Sequence, residues 1–256
     1  MKTGDLQRSK REEQHFNNLS HIQAESWWGH RAPAGELRSY RRAELVAAYA
    51  DVKSQQRILE IGCSSGFFTA HLLPFIPESA QLISTDVSPG MIKKALEKNS
   101  LAQRKNLHME VQNVENLTYD DNVFDVVLGS SILHHIDLDR CLPEIFRVLR
   151  PGGKFVFAEP NMLNPVIFLE RHFFFKIGYK IKDMSEDEVS INRFSFRRKL
   201  ENAGFRVDII KPYDFLHPLI PKPLHQFILR LGRVLEAIPV VRECAGSLII
   251  GAHKSV

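Results

Sequence analysis

One stretch constrains this chain more than any other. Arg57-Ile58-Leu59-Glu60-Ile61 runs into Gly62-Cys63-Ser64-Ser65-Gly66 and then into Phe67-Phe68-Thr69. A short aliphatic run that breaks at glycines and resumes with helical period reads as a buried strand entering a helix through a tight turn. Gly62 and Gly66 let backbone approach a ligand closely, and the helix N-terminus beyond them offers unpaired amides and a partial positive charge. The dinucleotide fingerprint Gly-x-Gly-x-x-Gly is not met, because Ser64 and Phe67 occupy its second and third glycine places counted from Gly62. NAD, and with it a nucleotide-dependent oxidoreductase, is demoted.

Around this turn the sequence alternates short apolar runs with helical segments. Strands are predicted at Arg57–Ile61, Gln81–Thr85, Leu107–Val111, Phe124–Leu128, Lys154–Ala158, Phe205–Ile210 and Ser247–His253. Helices are predicted at Ser65–Phe75, Pro89–Ser100, Leu138–Leu149 and Phe194–Ala203, the third stopped by the turn signal Pro151-Gly152-Gly153. The expected fold class is α/β: a doubly wound, mostly parallel seven-stranded Rossmann-like sheet, with ligands at the carboxyl ends of its strands. Residues 1–52 read as an N-terminal helical cap, on the helical pattern of Glu36–Val52. Residues 53–256 read as one ligand-binding domain with lid insertions at about 160–192 and 212–242. Trp27 and Trp28 in the cap either close over the ligand or pack, and Phe168 and Phe173–Phe175 in the first insertion either line a greasy pocket or belong to the core.

The 256 residues are 44% hydrophobic and carry 34 basic against 30 acidic side chains, which excludes disordered, collagen-like and disulfide-scaffold classes. The net charge of +4 is spread without runs, so no nucleic-acid partner is expected. Cys63, Cys141 and Cys244 are few and scattered, pointing to a reducing cytoplasm and to no metal. The N-terminus is polar, and no segment reaches the roughly 18 apolar residues of a membrane span, so the expectation is a protein neither secreted nor integral to a membrane.

Five segments, in this order, resemble the class I S-adenosylmethionine-dependent methyltransferases. They are Glu60-x-Gly62-x-x-x-Gly66; Ile83-Ser84-Thr85-Asp86, which brings a carboxylate 24 residues after Gly62; Gln112–Leu117; Phe124–Ile136, similar to the fourth-strand signature of small-molecule members; and Val148–Phe155. The resemblance covers residues 57 to about 160 and implies that S-adenosylmethionine is the cofactor. It implies that Asp86 holds the ribose diol and that Asn113, standing where Asp is commoner, accepts a hydrogen bond from the adenine amino group. It also lays Cys63, Val87, Met91, Val114, Glu115, Gly129 and Ser130 against the cofactor. Glu60 is either a solvated charge at the strand's end or a working carboxylate that anchors the turn or meets the cofactor's cationic end.

A sulfonium loses its positive charge as the methyl leaves, so placing the acceptor in line matters more than a strong acid. Effective molarities of about 10⁵–10⁸ M correspond to roughly 7–11 kcal/mol, against about 10²–10⁴-fold for a general base. A hydroxyl acceptor must still lose its proton. His134 and His135 follow the fourth strand, and His134 is the favoured base, the alternative being that it only shapes the pocket. Glu159, just past the fifth strand, orients a histidine or binds substrate, a pairing that some small-molecule members of the family show. Gly129-Ser130-Ser131-Ile132 stands where an Asn/Asp-Pro-Pro-aromatic signature would mark amino methylation of nucleic acid.

The expected activity is therefore methyl transfer to a small organic acceptor, lipophilic or not, at oxygen ahead of nitrogen or carbon. Its rival is a catalytically silent methyltransferase-like binding subunit. In 224–235, Leu224, Phe227, Ile228, Leu231 and Leu235 form one helical stripe. It packs over the sheet as a lid or, on a second reading, lies on a membrane surface or opens to a lipophilic acceptor.

Overall fold

The computed structural model describes residues 3–20, 32–169 and 191–256. Among these, seven strands form one sheet: β1 (Arg57–Ile61), β2 (Gln81–Asp86), β3 (Leu107–Val111), β4 (Phe124–Ser130), β5 (Leu149–Pro160), β6 (Phe205–Tyr213) and β7 (Ser247–Lys254). Their order is β3-β2-β1-β4-β5-β7-β6. β1 runs parallel to β2 and β4, and β7 is antiparallel to β5 and β6. The chain thus forms the mostly parallel, doubly wound sheet read from its sequence, and the strand order reverses between β1 and β4, where such sheets open a crevice.

The helices are α1 (Thr3–Ser20), α2 (Gly35–Ala50), α3 (Phe67–Leu72), α4 (Pro89–Leu96), α5 (Asn99–Ala102), α6 (Leu138–Val148), α7 (Pro165–Leu169), α8 (Arg193–Asn202) and α9 (His225–Ala237). Strand period sorts the core into two layers. Leu59, Ile61, Val127, Phe155 and Phe157 face the layer where α6 places Leu142 and Ile145 and α8 places Phe196 and Leu200. Ile58, Leu82, Val126, Leu128 and Val156 face the other, covered by Ala43, Val46 and Ala47 of α2, Leu72 of α3 and Ile92 of α4. Local signals fix the helix starts: Pro89 opens α4 behind Ser88, whose Oγ accepts from Met91 N, and Asp137 caps α6 by accepting from Asp139 N.

Several boundaries differ from expectation. The helix expected at Ser65–Phe75 spans only Phe67–Leu72, because Gly66 sits in the left-handed region at φ +75° and Pro74 tightens the exit into a 3₁₀ turn. Pro151-Gly152-Gly153 does not separate a helix from a strand; β5 begins at Leu149 and runs through it, with a register shift against β4 between Phe124 and Val126. α2, in the segment read as a cap, packs with α3 and α4 in the layer that covers one face of the sheet. Apolar periodicity missed α1: its sequence is polar nearly throughout, and it docks on α4 through Asn17, whose Oδ1 accepts from Ser88 Oγ at 2.5 Å and Gly90 N at 3.2 Å.

The stripe expected to pack over the sheet faces outward. Leu224, Phe227 and Leu231 are exposed and Ile228 and Leu235 half-buried, while α9 buries His225 and Gly232 instead. Trp27, Trp28 and Phe173–Phe175 lie outside the described residues. Among the described residues no helix is long and apolar enough to cross a membrane.

Candidate active site

The turn after β1 is a left-handed excursion through Gly62 (φ +71°), Ser64 (φ +49°) and Gly66. The glycines are needed for packing as much as for conformation. A Cβ on Gly62 would stand 2.5 Å from Ile132 Cγ1, and one on Gly66 2.3 Å from Leu101 Cδ1. Gly129, in β4, has no positive φ; its missing Cβ leaves room for the Ile61 carbonyl at 2.7 Å and the Phe157 ring. Their bare sides therefore meet protein, while the backbone of Gly62–Ser65 lines a cavity of about 610 Å³ over the carboxyl ends of β1, β2 and β4.

Asp86 ends β2 at the wall of this cavity. Its Oδ2 accepts from Ser64 N and its Oδ1 from Ser88 N, both at 2.9 Å, so one carboxylate ties the glycine turn to the start of α4. Burial pushes its pKa up to about 6. Each oxygen keeps further acceptor capacity. Cys63 and Val87 line the same wall. Burial also lifts the Cys63 thiol well above its usual range, so it is a neutral filler.

Four residues expected at the cofactor do not line the cavity. Glu60 is wholly buried behind the turn, where Thr69 Oγ1 donates to it at 2.9 Å and Ser84 Oγ at 2.5 Å. It anchors α3 and β2 to β1, and burial raises its pKa to about 7. Met91 is buried with its sulfur 3.6 Å from Ser64 Oγ, supporting the turn from behind. Gly66 and Gly129 act through packing, as above.

Past β3, Gln112, Asn113, Val114 and Glu115 all line the cavity. Asn113 Oδ1 accepts from Glu115 N at 2.9 Å, an Asx turn that stiffens this edge. Glu115 is held by the backbone N–H of Asp137 at 3.3 Å and by Arg140 at 3.4 Å.

The far end of the cavity follows β4. Ser130, His134 and His135 line it. His134 Nδ1 lies 2.7 Å from Glu159 Oε2, and the carboxylate's other oxygen accepts from Ile132 N and Leu133 N at 2.9 Å each. Glu159 is fully buried behind the histidine, so it is not a lining residue; burial pushes its pKa up to about 7 against those amide bonds and the nearby positive groups. The rings of His134 and His135 stand 4.1 Å apart, and His135 turns toward Glu12 of α1, 3.9 Å away.

Sequence reasoning missed Arg42. It projects from α2 into the cavity and donates to Ser130 Oγ and Ser131 Oγ, each at 3.1 Å. The helix was legible but its face was not, since α2's orientation is set by packing with α3 and β5. Glu12 and Phe16 of α1, His217–Leu219 after β6 and Ser247 of β7 complete the walls. Ser247 Oγ is buried with no hydrogen-bond partner, an acceptor and donor left at the cavity's edge. Among the described residues no three His, Cys, Asp or Glu side chains converge as metal ligands.

Comparison with known proteins agrees with this geometry. Residues 59–157 match a family model described as a methyltransferase domain. A demethylmenaquinone methyltransferase of Shouchella clausii is 32% identical over 126 residues, 49% of this chain and 54% of its own. A ubiquinone/menaquinone biosynthesis C-methyltransferase UbiE of Vibrio cholerae is 30% identical over 167 residues, 59% of this chain and 64% of its own. The chain thus spans between half and two thirds of these curated relatives. A chain of the Haloferax volcanii complex that contains the Trm112 methyltransferase activator superposes with a TM-score of 0.67 at 20% identity, over 94% of this chain and 98% of that one, a likeness of fold.

Proposed function

We propose that the chain, whose residues 59–157 match a methyltransferase domain, is a class I S-adenosylmethionine-dependent methyltransferase and methylates a small lipophilic acceptor bearing an ionisable hydroxyl, of the quinol or phenol kind. The observation that carries this reading is the buried His134–Glu159 pair opening onto the same cavity as the glycine turn and Asp86.

The cofactor fits the residues present. Asp86 has acceptor capacity for the ribose hydroxyls beyond its two backbone bonds, the backbone of Gly62–Ser65 takes the amino-acid tail, and Asn113–Glu115 frame the adenine. When bound, S-adenosylmethionine supplies an electrophilic methyl on a sulfonium. The protein does the rest. With Nδ1 held by Glu159, His134 takes the acceptor's proton at Nε2, and the Glu159 carboxylate stabilises the imidazolium that results. Arg42, fixed by Ser130 and Ser131, faces the oxyanion left behind.

Such an anion carries charge on oxygen and on the neighbouring ring carbon, so one base serves the first proton removal for transfer to either atom. After transfer to carbon, the hydrogen on that carbon is lost to water as the ketone returns to the hydroxyl form, whose oxygen takes up a proton. The sequence alone favours oxygen; a relative named as a quinone-biosynthesis C-methyltransferase weights the choice toward carbon. Incubation with methyl-labelled S-adenosylmethionine and a panel of reduced demethylated naphthoquinols and simple phenols, followed by mass spectrometry of the extract, tests the reading. Addition of one methyl to a hydroxyl-bearing acceptor supports it, and the fragment pattern assigns the atom. Cofactor binding without transfer to any member of the panel favours the silent subunit instead.

A further inference from the structure

α9 is inside out for a helix that only closes a cavity. It packs through His225 and Gly232, while Phe227, Leu231, Val234 and Ile238 share its outward face, with Phe227 64% and Val234 60% exposed. Val240, just beyond, is 81% exposed and Leu219, before it, 69%. Solvent-facing apolar residues at helical spacing form a patch that soluble surfaces rarely carry without a partner.

Its surroundings are cationic. Lys222, Arg230 and Arg233 are exposed beside the stripe. From Phe215 to Val241 the sequence holds one acidic residue, Glu236, and its carboxylate is taken by Arg41 at 2.8 Å and by Asp214 N at 2.9 Å. An apolar face rimmed by cations matches a surface that is greasy within and anionic at its edge. A second copy fits poorly, because isologous pairing through this face sets Arg230 and Arg233 of one copy near those of the other.

We infer that α9, with Leu219 and Val240, docks the protein on an anionic lipid bilayer. The segment is joined to the cavity: His217 and Pro218 line it, and Pro218 O accepts from Ala34 N at 3.1 Å ahead of α2. On the lipophilic-acceptor reading, on which this last link rests, docking brings the cavity mouth beside the acceptor's source.

The test is co-sedimentation of the full chain with vesicles of phosphatidylcholine alone and of equal parts phosphatidylcholine and phosphatidylglycerol. The expected result is partition onto the anionic vesicles, weakened by salt and lowered about tenfold or more in a F227E/V234E double variant. Calorimetric titration with S-adenosylhomocysteine should give the same affinity for both proteins, showing that the variant is folded and that the cofactor site stands apart from docking. Equal partition of wild type and variant, or none by either, overturns the inference. So does sedimentation equilibrium showing a dimer that the variant dissolves in a protein that ignores vesicles. Loss of docking with normal methyl transfer to a water-soluble phenol would leave the proposed activity intact.

Discussion

His134 Nδ1 and Glu159 Oε2 meet at 2.7 Å with both side chains buried, the carboxylate completely. Glu159 spends its other oxygen on Ile132 N and Leu133 N, so its position is fixed by backbone, and it fixes the ring in turn. A bond between β5's end and the turn after β4 thus takes one imidazole nitrogen, Nδ1, and leaves Nε2 for the cavity that His134 lines.

Replacing His134 by Ala should lower kcat by about 10²–10⁴-fold and leave affinity for S-adenosylhomocysteine unchanged. Steady-state kinetics with calorimetry checks both, and an unchanged kcat removes His134 as base. Glu159→Gln should cost about 10–100-fold, the usual effect of removing an orienting partner.

The pair also sets a pH limb. Glu159 must be ionised to hold the Nδ1 proton, and burial lifts its pKa to about 7. kcat should therefore fall as pH drops below about 7, and Glu159→Gln should flatten that limb. Arg42 is one of the charges that lower the Glu159 pKa, so Arg42→Ala should move the limb to higher pH. It should also raise the acceptor KM by about 10–100-fold, the scale of a lost hydrogen bond to a charge. Arg42→Lys should recover part of it, since a single guanidinium nitrogen, Nη1, donates to both Ser130 and Ser131 and one ammonium carries enough donors to do the same.

Gly62→Ala tests the turn. A side chain there carries positive φ and a Cβ 2.5 Å from Ile132 Cγ1; the left-handed conformation costs about 1–2 kcal/mol and overpacking about 1–3 kcal/mol more. Chemical denaturation should show a loss of about 2–5 kcal/mol. Gly62→Ala with Ile132→Ala should recover only part of the packing loss, because the Cβ of residue 132 would still stand 2.8 Å away, and none of the conformational part.

Glu60 predicts a stability profile. Its folded pKa of about 7 lies above the ordinary value of 4.5, so the folded state binds more protons between them. Stability from this group is present below about pH 4.5 and lost as pH rises through about 7. Glu60→Gln holds the neutral form throughout, and the difference in unfolding free energy, variant minus wild type, should grow from pH 4.5 to 7 by up to about 3 kcal/mol. A constant difference would contradict the assignment.

The sheet was legible because its strands are nearly continuous aliphatic runs bounded by glycine, proline and charge, as Ile58–Ile61 and Val126–Leu128 show. Asp86, His134 and Glu159 were legible because each stands at or just past a strand's carboxyl end, where parallel sheets open. What sequence hid depends on which way a surface turns. Arg42 lies on a helix that reads correctly, yet only packing against α3 and β5 aims it inward; α9's stripe has the period of a buried face and lies outside. Glu60 had two readings open, and burial between Thr69 and Ser84 selects anchoring. α1 carries no apolar period, so nothing in its residues announced that Glu12 and Phe16 reach the cavity.

The most direct test of the central claim is calorimetric titration of wild type and Asp86→Asn with S-adenosylhomocysteine and, separately, NADH. The amide cannot accept at both oxygens, so Ser64 N or Ser88 N loses its partner together with a ribose bond. The account predicts stoichiometric binding of the nucleoside to wild type, about 10-fold or more weaker in the variant, and no heat with NADH. Binding of equal strength in both proteins, or folded wild type that ignores S-adenosylhomocysteine, contradicts it.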